Sequence, residues 1–417
     1  MHGPSGREDS MFTFATELQN PVGSPIRELF QYLSVPGMIS FAGGYPAAST
    51  FDVGNIAQCV STAIAQAPSE CLQYGSTEGV LSLRSALSEL MERRGAPTEV
   101  DRILITSGSQ QAFDFVVRSF VEPGTRVLVE APTYPAAIQA FRLAGAGIDA
   151  IPTDSEGIDT EALEAYLSAC PGHARPRLLY LVPAFANPTG AELSLERRNH
   201  LLGIIKAYDL ILVEDDPYGC LAFDGEALPS MLALSRGNDA LRDRIIYLGS
   251  LSKTVAPGLR IGWMAAHPDV IRRAVIAKQA SDLCTPPWIQ VAMAVYLQSG
   301  YLDAQVRRIV SAYRVKRDVM VEALSGQLAG GLSFSAPKGG MFVWASLPEG
   351  ADSAALLRLA IDERVLFVPG KAFYTGTGTH STLRLSFATP SIEDIETGVG
   401  RLATAISRMS VVLEIQP

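Results

Sequence analysis

Between about residues 100 and 265, short apolar stretches alternate with amphipathic ones, and this alternation limits the folds open to the chain. Apolar runs such as RILITSG, RVLVEAP, RLLYLVP, LILVEDD and RIIYLGS lack the polar side of a half-exposed strand. Amphipathic runs with helical spacing, such as SQQAFDFVVRSFV and LERRNHLLGIIKAYD, follow several of them. Strands buried on both faces and followed by helices predict an α/β fold, with a mostly parallel sheet between layers of helices.

The composition narrows the class of protein. Of the 417 residues 47% are hydrophobic, so the chain can bury a sizeable core. A net charge of −9 argues against a nucleic-acid surface or a polybasic membrane patch. No apolar run has the length of a membrane span, and the first residues lack the apolar segment of a signal peptide. We therefore expect a soluble, cytoplasmic protein that binds neither nucleic acid nor membranes.

The cysteines are far apart in the sequence. They form no CxxC pair and have no histidine at metal-ligand spacing; they are Cys59, Cys71, Cys170, Cys220 and Cys284. We expect reduced, buried thiols, without a disulfide framework and without a metal site.

The pattern divides the chain into three parts. Residues 1–45 show little periodicity and are expected to form an N-terminal arm that packs on the rest. Residues 46–300 carry the strand and helix alternation and are predicted to form a large domain. Residues 301–417 are predicted to form a smaller α+β domain, which begins with a long charged helix over 301–329.

A single lysine, Lys253, stands in GSLSKTVAPGLRIGW, directly after a buried strand. An unperturbed lysine has a pKa of about 10.4, and apolar surroundings or a nearby cation lower it. The preceding strand supplies the apolar surroundings, and Arg260 is placed to supply the cation. A lysine of this kind can act as a nucleophile. A lone lysine in a loop, however, more often extends along the surface toward water.

Two segments offer groups that bind phosphate. In the lysine segment, Ser250 and Ser252 offer hydroxyl groups and Arg260 a planar guanidinium. In TSGSQQAFD, Ser109 and Gln110 begin a helix directly after a buried strand, where backbone N–H groups and the helix dipole attract anions. A serine there is often only a helix cap. The two segments together predict a phosphate site.

Polar and aromatic groups follow three other buried strands. In ILVEDDPYG, one of the adjacent aspartates could hold a proton on a heterocyclic nitrogen, while Tyr218 donates to a ring oxygen. Asn187 in VPAFANPTG could donate to the same oxygen, and Tyr134 in EAPTYPAA could stack on a flat ring. Taken alone, each segment could equally be a turn or part of the core. Together with the lysine and the phosphate groups, they predict pyridoxal 5′-phosphate (PLP), held as a Schiff base.

The motifs SGSQQAFD, PTYP, NPTG, EDDPYG, SLSKTVAPGLRIGW and LRLSFA have the order and spacing typical of fold-type I PLP-dependent aminotransferases. Near the start, SPIRELF and ISFAGGYP make the chain resemble the subgroup that contains 2-aminoadipate and kynurenine aminotransferases. The resemblance covers nearly the whole chain after the first twenty residues. It implies the fold-type I architecture, with a large PLP-binding domain and a smaller C-terminal domain.

The resemblance also implies a role for each site residue. Lys253 would form the Schiff base and move the substrate proton, Asp215 would hold the pyridine nitrogen, and Tyr218 completes the catalytic set. Further cofactor-binding residues would be Ser109, Gln110, Tyr134, Asn187, Ser250, Ser252, Arg260 and, from the neighbouring subunit of a homodimer, Tyr74. The substrate-binding residues would be Arg384, which clamps the α-carboxylate, and Arg27, Gly44, Tyr45 and Asn187.

Two positions depart from the pattern of the subgroup. Ala186 stands where relatives often carry glutamine, and Tyr45 where they often carry an aliphatic residue. Both are expected near the substrate side chain. Arg27 matches a mobile arginine that either binds a distal carboxylate or moves aside for apolar side chains. The donor therefore stays open among 2-aminoadipate, aromatic and branched or aliphatic amino acids.

We expect a ping-pong transamination from an L-α-amino acid to a 2-oxo acid, with 2-oxoglutarate as the acceptor. A PLP-dependent lyase or decarboxylase on the same scaffold is the alternative, because a fold does not dictate its reaction. The effector domain of a transcription regulator is disfavoured, because a winged-helix domain precedes such domains and the motifs here begin at residue 24. A catalytically dead relative would be expected to lack Lys253 or Asp215.

Overall fold

The computed structural model describes residues 12–19, 23, 25–328, 331–376 and 380–415. The first eleven residues of the predicted arm and residue 329 of the predicted helix lie outside this part of the chain. The strands, in chain order, are β1 Ile39–Ser40, β2 Ile103–Thr106, β3 Arg126–Ala131, β4 Gly147–Asp154, β5 Gly157–Ile158, β6 Leu178–Leu181, β7 Ile211–Asp216, β8 Ile245–Ser250, β9 Gly262–Ala265, β10 Ser333–Phe334, β11 Phe342–Ser346, β12 Val365–Leu366, β13 Val368–Pro369 and β14 Thr382–Ser386.

Helices separate most of these strands. In chain order they are α1 Pro25–Glu28, α2 Val53–Gln66, α3 Pro68–Leu72, α4 Leu81–Arg93, α5 Ser109–Phe120, α6 Pro135–Leu143, α7 Thr160–Ala169, α8 Leu195–Tyr208, α9 Met231–Leu234, α10 Asp239–Arg242, α11 Pro268–Gln279, α12 Pro287–Gln298, α13 Tyr301–Gln327, α14 Ser353–Asp362 and α15 Ile392–Ile415. Within the described residues, no helix is long and apolar enough to cross a membrane.

The predicted α/β class is confirmed. In the described part of the chain, the large sheet has eight strands in the order β2-β9-β8-β7-β6-β3-β4-β5. The pairs β4–β3, β3–β6, β6–β7 and β7–β8 are parallel. β9 is antiparallel to both β8 and β2. The sequence pattern did not predict β9, because its four residues follow the lysine segment without a break in composition.

Most strands of the large sheet are buried on both faces, whereas β4 near one edge is largely exposed or half-buried. Along β6, Leu179 and Leu181 pack with one set of helices, including α4, α8 and α12. Tyr180 points to the other face, which α5, α6 and α11 cover. The double burial explains why these strands lack a polar side in the sequence.

A smaller antiparallel sheet has the order β10-β11-β14-β13, and β1 pairs in parallel with β12. The segment before residue 45 thus joins strands from the C-terminal part of the chain. The boundaries of the domains stay a prediction. One expectation about the thiols is wrong: Cys59 and Cys71 are buried, but the free thiols of Cys170, Cys220 and Cys284 are only partly covered.

Candidate active site

The predicted site residues follow strands whose carboxyl ends meet at one edge of the large sheet. β3, β6, β7 and β8 are parallel. β2 has the same direction, because β9 is antiparallel to both β2 and β8. Parallel strands bring the residues that follow them to the same edge of the sheet. These residues are Ser109, Tyr134, Asn187, Asp215, Tyr218, Ser250 and Lys253.

Lys253 lies at this edge with its side chain partly buried. Its Nζ donates a hydrogen bond to the backbone oxygen of Gly44 at 2.8 Å. The pKa of Lys253 is lowered from 10.5 to about 8, first by burial and then by the positive charges of Arg384 and Arg260, against the opposing effect of Asp215. The sequence predicted the burial and the role of Arg260. A pKa near 8 leaves about a tenth of the amine uncharged at pH 7.

Asp215 stands near the end of β7, and its two carboxylate oxygens differ. Tyr180 of β6 donates its hydroxyl hydrogen to Oδ2 at 2.7 Å. Oδ1 is buried and has no hydrogen-bond partner in the described part of the chain. Burial raises the pKa of Asp215 to about 6, although the bond from Tyr180 works in the opposite direction. A buried oxygen without a partner is costly, so Oδ1 is suited to accept from a ligand.

Arg384 of β14 is only 1% exposed, so its guanidinium lies inside the protein. Its Nη1 donates to Oδ1 of Asn187 at 2.7 Å and its Nη2 to the backbone oxygen of Ala42 at 2.6 Å. Its Nε is buried without a partner among the described residues. Its guanidinium carbon lies 4.3 Å from the ring centre of Phe342 and 5.1 Å from that of Phe373. Burial lowers the pKa of Arg384 to about 10.

Asn187 connects Arg384 to Tyr218. Asn187 lies close enough to Tyr218 to lower the pKa of the tyrosine hydroxyl, whereas burial, the larger effect, raises it. Asn187 and Tyr218 are 5% and 4% exposed, so both polar groups lie well inside the protein. Their proximity agrees with the prediction that they serve the same oxygen of a ligand.

The groups predicted to bind phosphate lie around Gly262 of β9, which pairs with Ser250 on one side and Thr106 on the other. A Cβ atom at Gly262 would lie 2.5 Å from the Gly108 carbonyl carbon and 2.5 Å from the Ser109 nitrogen. Only glycine therefore lets the turn before α5 lie against β9.

Gly108, with φ of 86°, provides no side-chain cap for α5, and the N–H of Gln111 donates to its carbonyl oxygen, so the N–H groups of Ser109 and Gln110 are the ones suited to an anion. Arg260 covers Gly108 and donates from Nη2 to the backbone oxygen of Ser107 at 2.8 Å. In the lysine segment, Ser250 donates from Oγ to Ser252 Oγ at 2.9 Å. Ser109 is partly buried and Gln110 is exposed.

Tyr134 is partly buried beside these groups. Its pKa is raised, first by burial and then by the charge of Asp215, while Arg384 and two other arginines act in the opposite direction. One of these is Arg27, which stands on the short helix α1 with an exposed side chain. The structure thus places Arg27 within electrostatic range of Tyr134.

Three further predicted residues are Gly44, Tyr45 and Tyr74. Gly44 borders the arginine, since a Cβ atom there would lie 3.8 Å from Nη1 of Arg384. Tyr45 packs edge-on against Phe30, with ring centres 6.4 Å apart. Tyr74 is 79% exposed, as a side chain that serves another subunit would be in a single protomer.

The sequence motifs missed Tyr180, Phe342 and Phe373. The sequence gives a weak indication of Tyr180, because it is the one tyrosine in the aliphatic run RLLYLVP. It gives none of the two phenylalanines, because their contacts with Arg384 join segments far apart in the sequence.

The residues present fit PLP. A lysine with a lowered pKa suits the aldehyde carbon, and the unpartnered Oδ1 of Asp215 suits the ring nitrogen. The uncapped start of α5 beside Arg260 suits the phosphate. The described residues contain no cluster of three or more His, Cys, Asp or Glu side chains that could hold a metal ion.

Residues 43–402 match the family described as Aminotransferase class I and II. The chain is 42% identical to aromatic-amino-acid aminotransferase 1 of Thermococcus litoralis over 385 residues, which cover 92% of this chain and 91% of that protein. It is 42% identical to 2-aminoadipate transaminase of Thermus thermophilus over 383 residues, which cover 92% of this chain and 94% of that protein.

Among solved structures, the alpha-aminoadipate aminotransferase of Thermus thermophilus, complexed with N-(5′-phosphopyridoxyl)-L-leucine, has a TM-score of 0.88 and 39% identity. The match covers 96% of this chain and 98% of that one. These similarities confirm the family, the fold type and the cofactor inferred from the motifs. The chain belongs to the class I and II aminotransferases and is a PLP-dependent enzyme of fold type I.

Proposed function

We propose that the enzyme moves the amino group of an L-α-amino acid to a 2-oxo acid, 2-oxoglutarate, by a ping-pong mechanism. The observation that carries the proposal is the environment of Lys253. Its amine is partly uncharged near neutral pH, and the positive charge of Arg384 and the negative charge of Asp215 both act on it. A proton acceptor within electrostatic range of a group for the substrate carboxylate and of a group for the cofactor ring supports transamination.

When bound, PLP takes up the amino group and withdraws electrons from the bonds at the substrate Cα. Lys253 Nζ would remove the proton from the substrate Cα and deliver it to the carbon on the other side of the substrate nitrogen. Asp215 Oδ1 accepts a hydrogen bond from the ring nitrogen and keeps that nitrogen protonated. Asn187 and Tyr218 bind the ring oxygen, and Tyr134 stacks on the ring. The phosphate is bound by Ser109, Gln110, Ser250, Ser252, Arg260 and the Tyr74 of a second subunit.

Arg384 binds the α-carboxylate of every donor. Its guanidinium is flanked by Phe342 and Phe373 and is held by Asn187 and Ala42, so its orientation is set before the substrate arrives. A planar, desolvated guanidinium is suited to a bidentate pair with a carboxylate.

The donor is an aromatic amino acid or 2-aminoadipate. Both classes appear in the names of relatives that share 42% of their residues with this chain. Arg27, exposed on α1, is suited to the distal carboxylate of 2-aminoadipate. Tyr45, near Phe30 at 6.4 Å, offers an aromatic wall. Gly44 lets the substrate lie close to the backbone at this point.

The test is steady-state kinetics with a panel of donors that includes aromatic, aliphatic and acidic amino acids, with 2-oxoglutarate as the acceptor. The expected result is formation of glutamate and parallel lines in double-reciprocal plots at several acceptor concentrations. Intersecting lines would contradict the ping-pong order. Product formation that needs no 2-oxo acid, with release of carbon dioxide or ammonia, would support the lyase alternative.

A further inference from the structure

Tyr180 lies beside Asp215 on the neighbouring strand. β6 and β7 are parallel, with Tyr180 opposite Val213. Because side chains alternate along a strand, Tyr180, Val213 and Asp215 point to the same face of the sheet. The hydroxyl of Tyr180 donates to Oδ2 of Asp215 at 2.7 Å. The register of the two strands therefore places a hydrogen-bond donor next to one oxygen of this carboxylate.

The core holds Tyr180 in place. Its side chain is 0% exposed, and its ring centre lies 4.7 Å from that of Phe113 of α5. Phe113 packs edge-on against Phe141 of α6, with ring centres 5.1 Å apart. The hydroxyl therefore has little freedom to leave the carboxylate, since rotation of the ring would disturb this packing.

Among the residues that the structure describes, no side chain other than Tyr180 donates a hydrogen bond to Asp215. Asp216 and Lys253 act on Asp215 through their charges, and Tyr180 acts through a hydrogen bond. The side chain of Asp216 points to the opposite face of the sheet. There its Oδ2 accepts a hydrogen bond from the Tyr247 hydroxyl at 2.8 Å, and its Oδ1 accepts one from the Gly219 N–H at 2.8 Å.

We propose that Tyr180 is a positioning residue for the cofactor: its hydroxyl holds Oδ2 of Asp215 so that Oδ1 faces the ring nitrogen of PLP. Tyr180 acts only through Asp215 and does not touch the cofactor. The inference rests on the role proposed for Asp215. The unequal state of the two oxygens supports it, because Oδ2 has a protein donor and Oδ1 is buried without one in the described part of the chain.

The test compares Tyr180→Phe with a matched control, Tyr247→Phe. Tyr247 is 1% exposed on the adjacent strand β8 and donates to Oδ2 of Asp216 at 2.8 Å. The two changes remove the same atom at similar depth from neighbouring carboxylates. The apoprotein of each variant is titrated with PLP and with an analogue of PLP in which carbon replaces the ring nitrogen. Binding is followed by quenching of protein fluorescence, and thermal unfolding checks that each apoprotein is folded.

Tyr180→Phe is expected to weaken the affinity for PLP about tenfold or more, because a hydrogen bond to a buried carboxylate is lost. Its affinity for the carbon analogue should stay unchanged, since that ligand has no ring nitrogen to hold. Tyr247→Phe should change neither affinity. An equal loss for both ligands, or no loss for PLP, in Tyr180→Phe would overturn the proposal.

Asp215→Asn separates this inference from the proposed function. Alone, it should weaken PLP binding, and in its background Tyr180→Phe should have no further effect. If Asp215→Asn leaves the affinity for PLP unchanged, the role proposed for Asp215 is wrong and the positioning role falls with it. If Asp215→Asn weakens binding and Tyr180→Phe does not, only the positioning role is wrong.

Discussion

Gly262 of β9 lies directly against the backbone nitrogen of Ser109, so that a Cβ atom at position 262 would come within 2.5 Å of that nitrogen. The contact joins the strand that follows the lysine segment to the first residue of α5. Backbone packing thus connects the lysine segment to the turn proposed to bind phosphate, although the two are about 140 residues apart in the sequence.

Gly262→Ala is therefore expected to weaken PLP binding about tenfold, because the added methyl group displaces the turn before α5. The measurement is fluorescence titration of the apoprotein with PLP. Gly258→Ala is the matched control, since Gly258 lies in the same connection and a Cβ atom there would meet nothing within 4 Å. Equal affinities of the two variants would show that the packing does not set the phosphate site.

The lowered pKa of Lys253 predicts a pH dependence of stability. The unfolded chain binds this proton below pH 10.5, whereas the folded chain binds it only below about pH 8. Between these values the unfolded state holds more protons, so the stability of the apoprotein rises with pH across this window. Lys253→Met removes the buried amine and with it this dependence.

The free energy of unfolding of the Lys253→Met apoprotein, relative to the unchanged apoprotein, should be greatest below about pH 8 and fall toward pH 10.5. Chemical denaturation at several pH values measures it. A difference that does not vary with pH across this window would mean that the amine keeps an ordinary pKa in the folded protein.

The two arginines proposed for the substrate should affect the kinetics differently. Arg384→Lys is expected to raise KM about 10- to 100-fold for every donor, because lysine cannot form the bidentate pair with the α-carboxylate. Arg27→Ala should raise KM only for acidic donors. Steady-state kinetics with 2-aminoadipate and an aromatic donor separates the two, and a uniform effect of Arg27→Ala would contradict its role at the distal carboxylate.

The proposed homodimer predicts complementation between two defective variants. Lys253→Ala lacks the lysine, and Tyr74→Ala lacks the side chain offered to the other subunit. If Tyr74 acts across the interface, a mixed dimer contains one intact site. After random exchange of subunits, an equal mixture should regain about a quarter of full activity at low PLP concentration. A mixture that stays no more active than its components would place Tyr74 in its own subunit or outside the site.

Much of the fold could be predicted, because local sequence patterns mark most of its strands and helices. Residues 127–129 and 211–213, within two of the strands, are apolar on both faces, since helices cover both sides of the sheet. Strand β9 could not be predicted, because it is only Gly262–Ala265 and its pairing with β2 joins segments far apart.

The site likewise contains residues that the sequence predicts and residues that it does not. Lys253, Asp215 and Asn187 stand in motifs that follow strands, so their place at the sheet edge could be inferred. Tyr180 could not, because its bond to Asp215 depends on the register between β6 and β7. Likewise, Arg384 bonds to Ala42, which is 342 residues away along the chain, and such long-range contacts leave no local signal.

The most direct test of the central claim is an absorbance spectrum of the PLP-bound enzyme with each donor in turn and no 2-oxo acid. Transamination predicts that a true donor removes the visible band of the bound cofactor, that an equal amount of 2-oxo acid forms, and that 2-oxoglutarate restores the band. Lys253→Ala, the matched control, should carry out this conversion about a thousandfold more slowly or not at all. A band that no donor removes, or that disappears only with release of carbon dioxide or ammonia, would contradict the account.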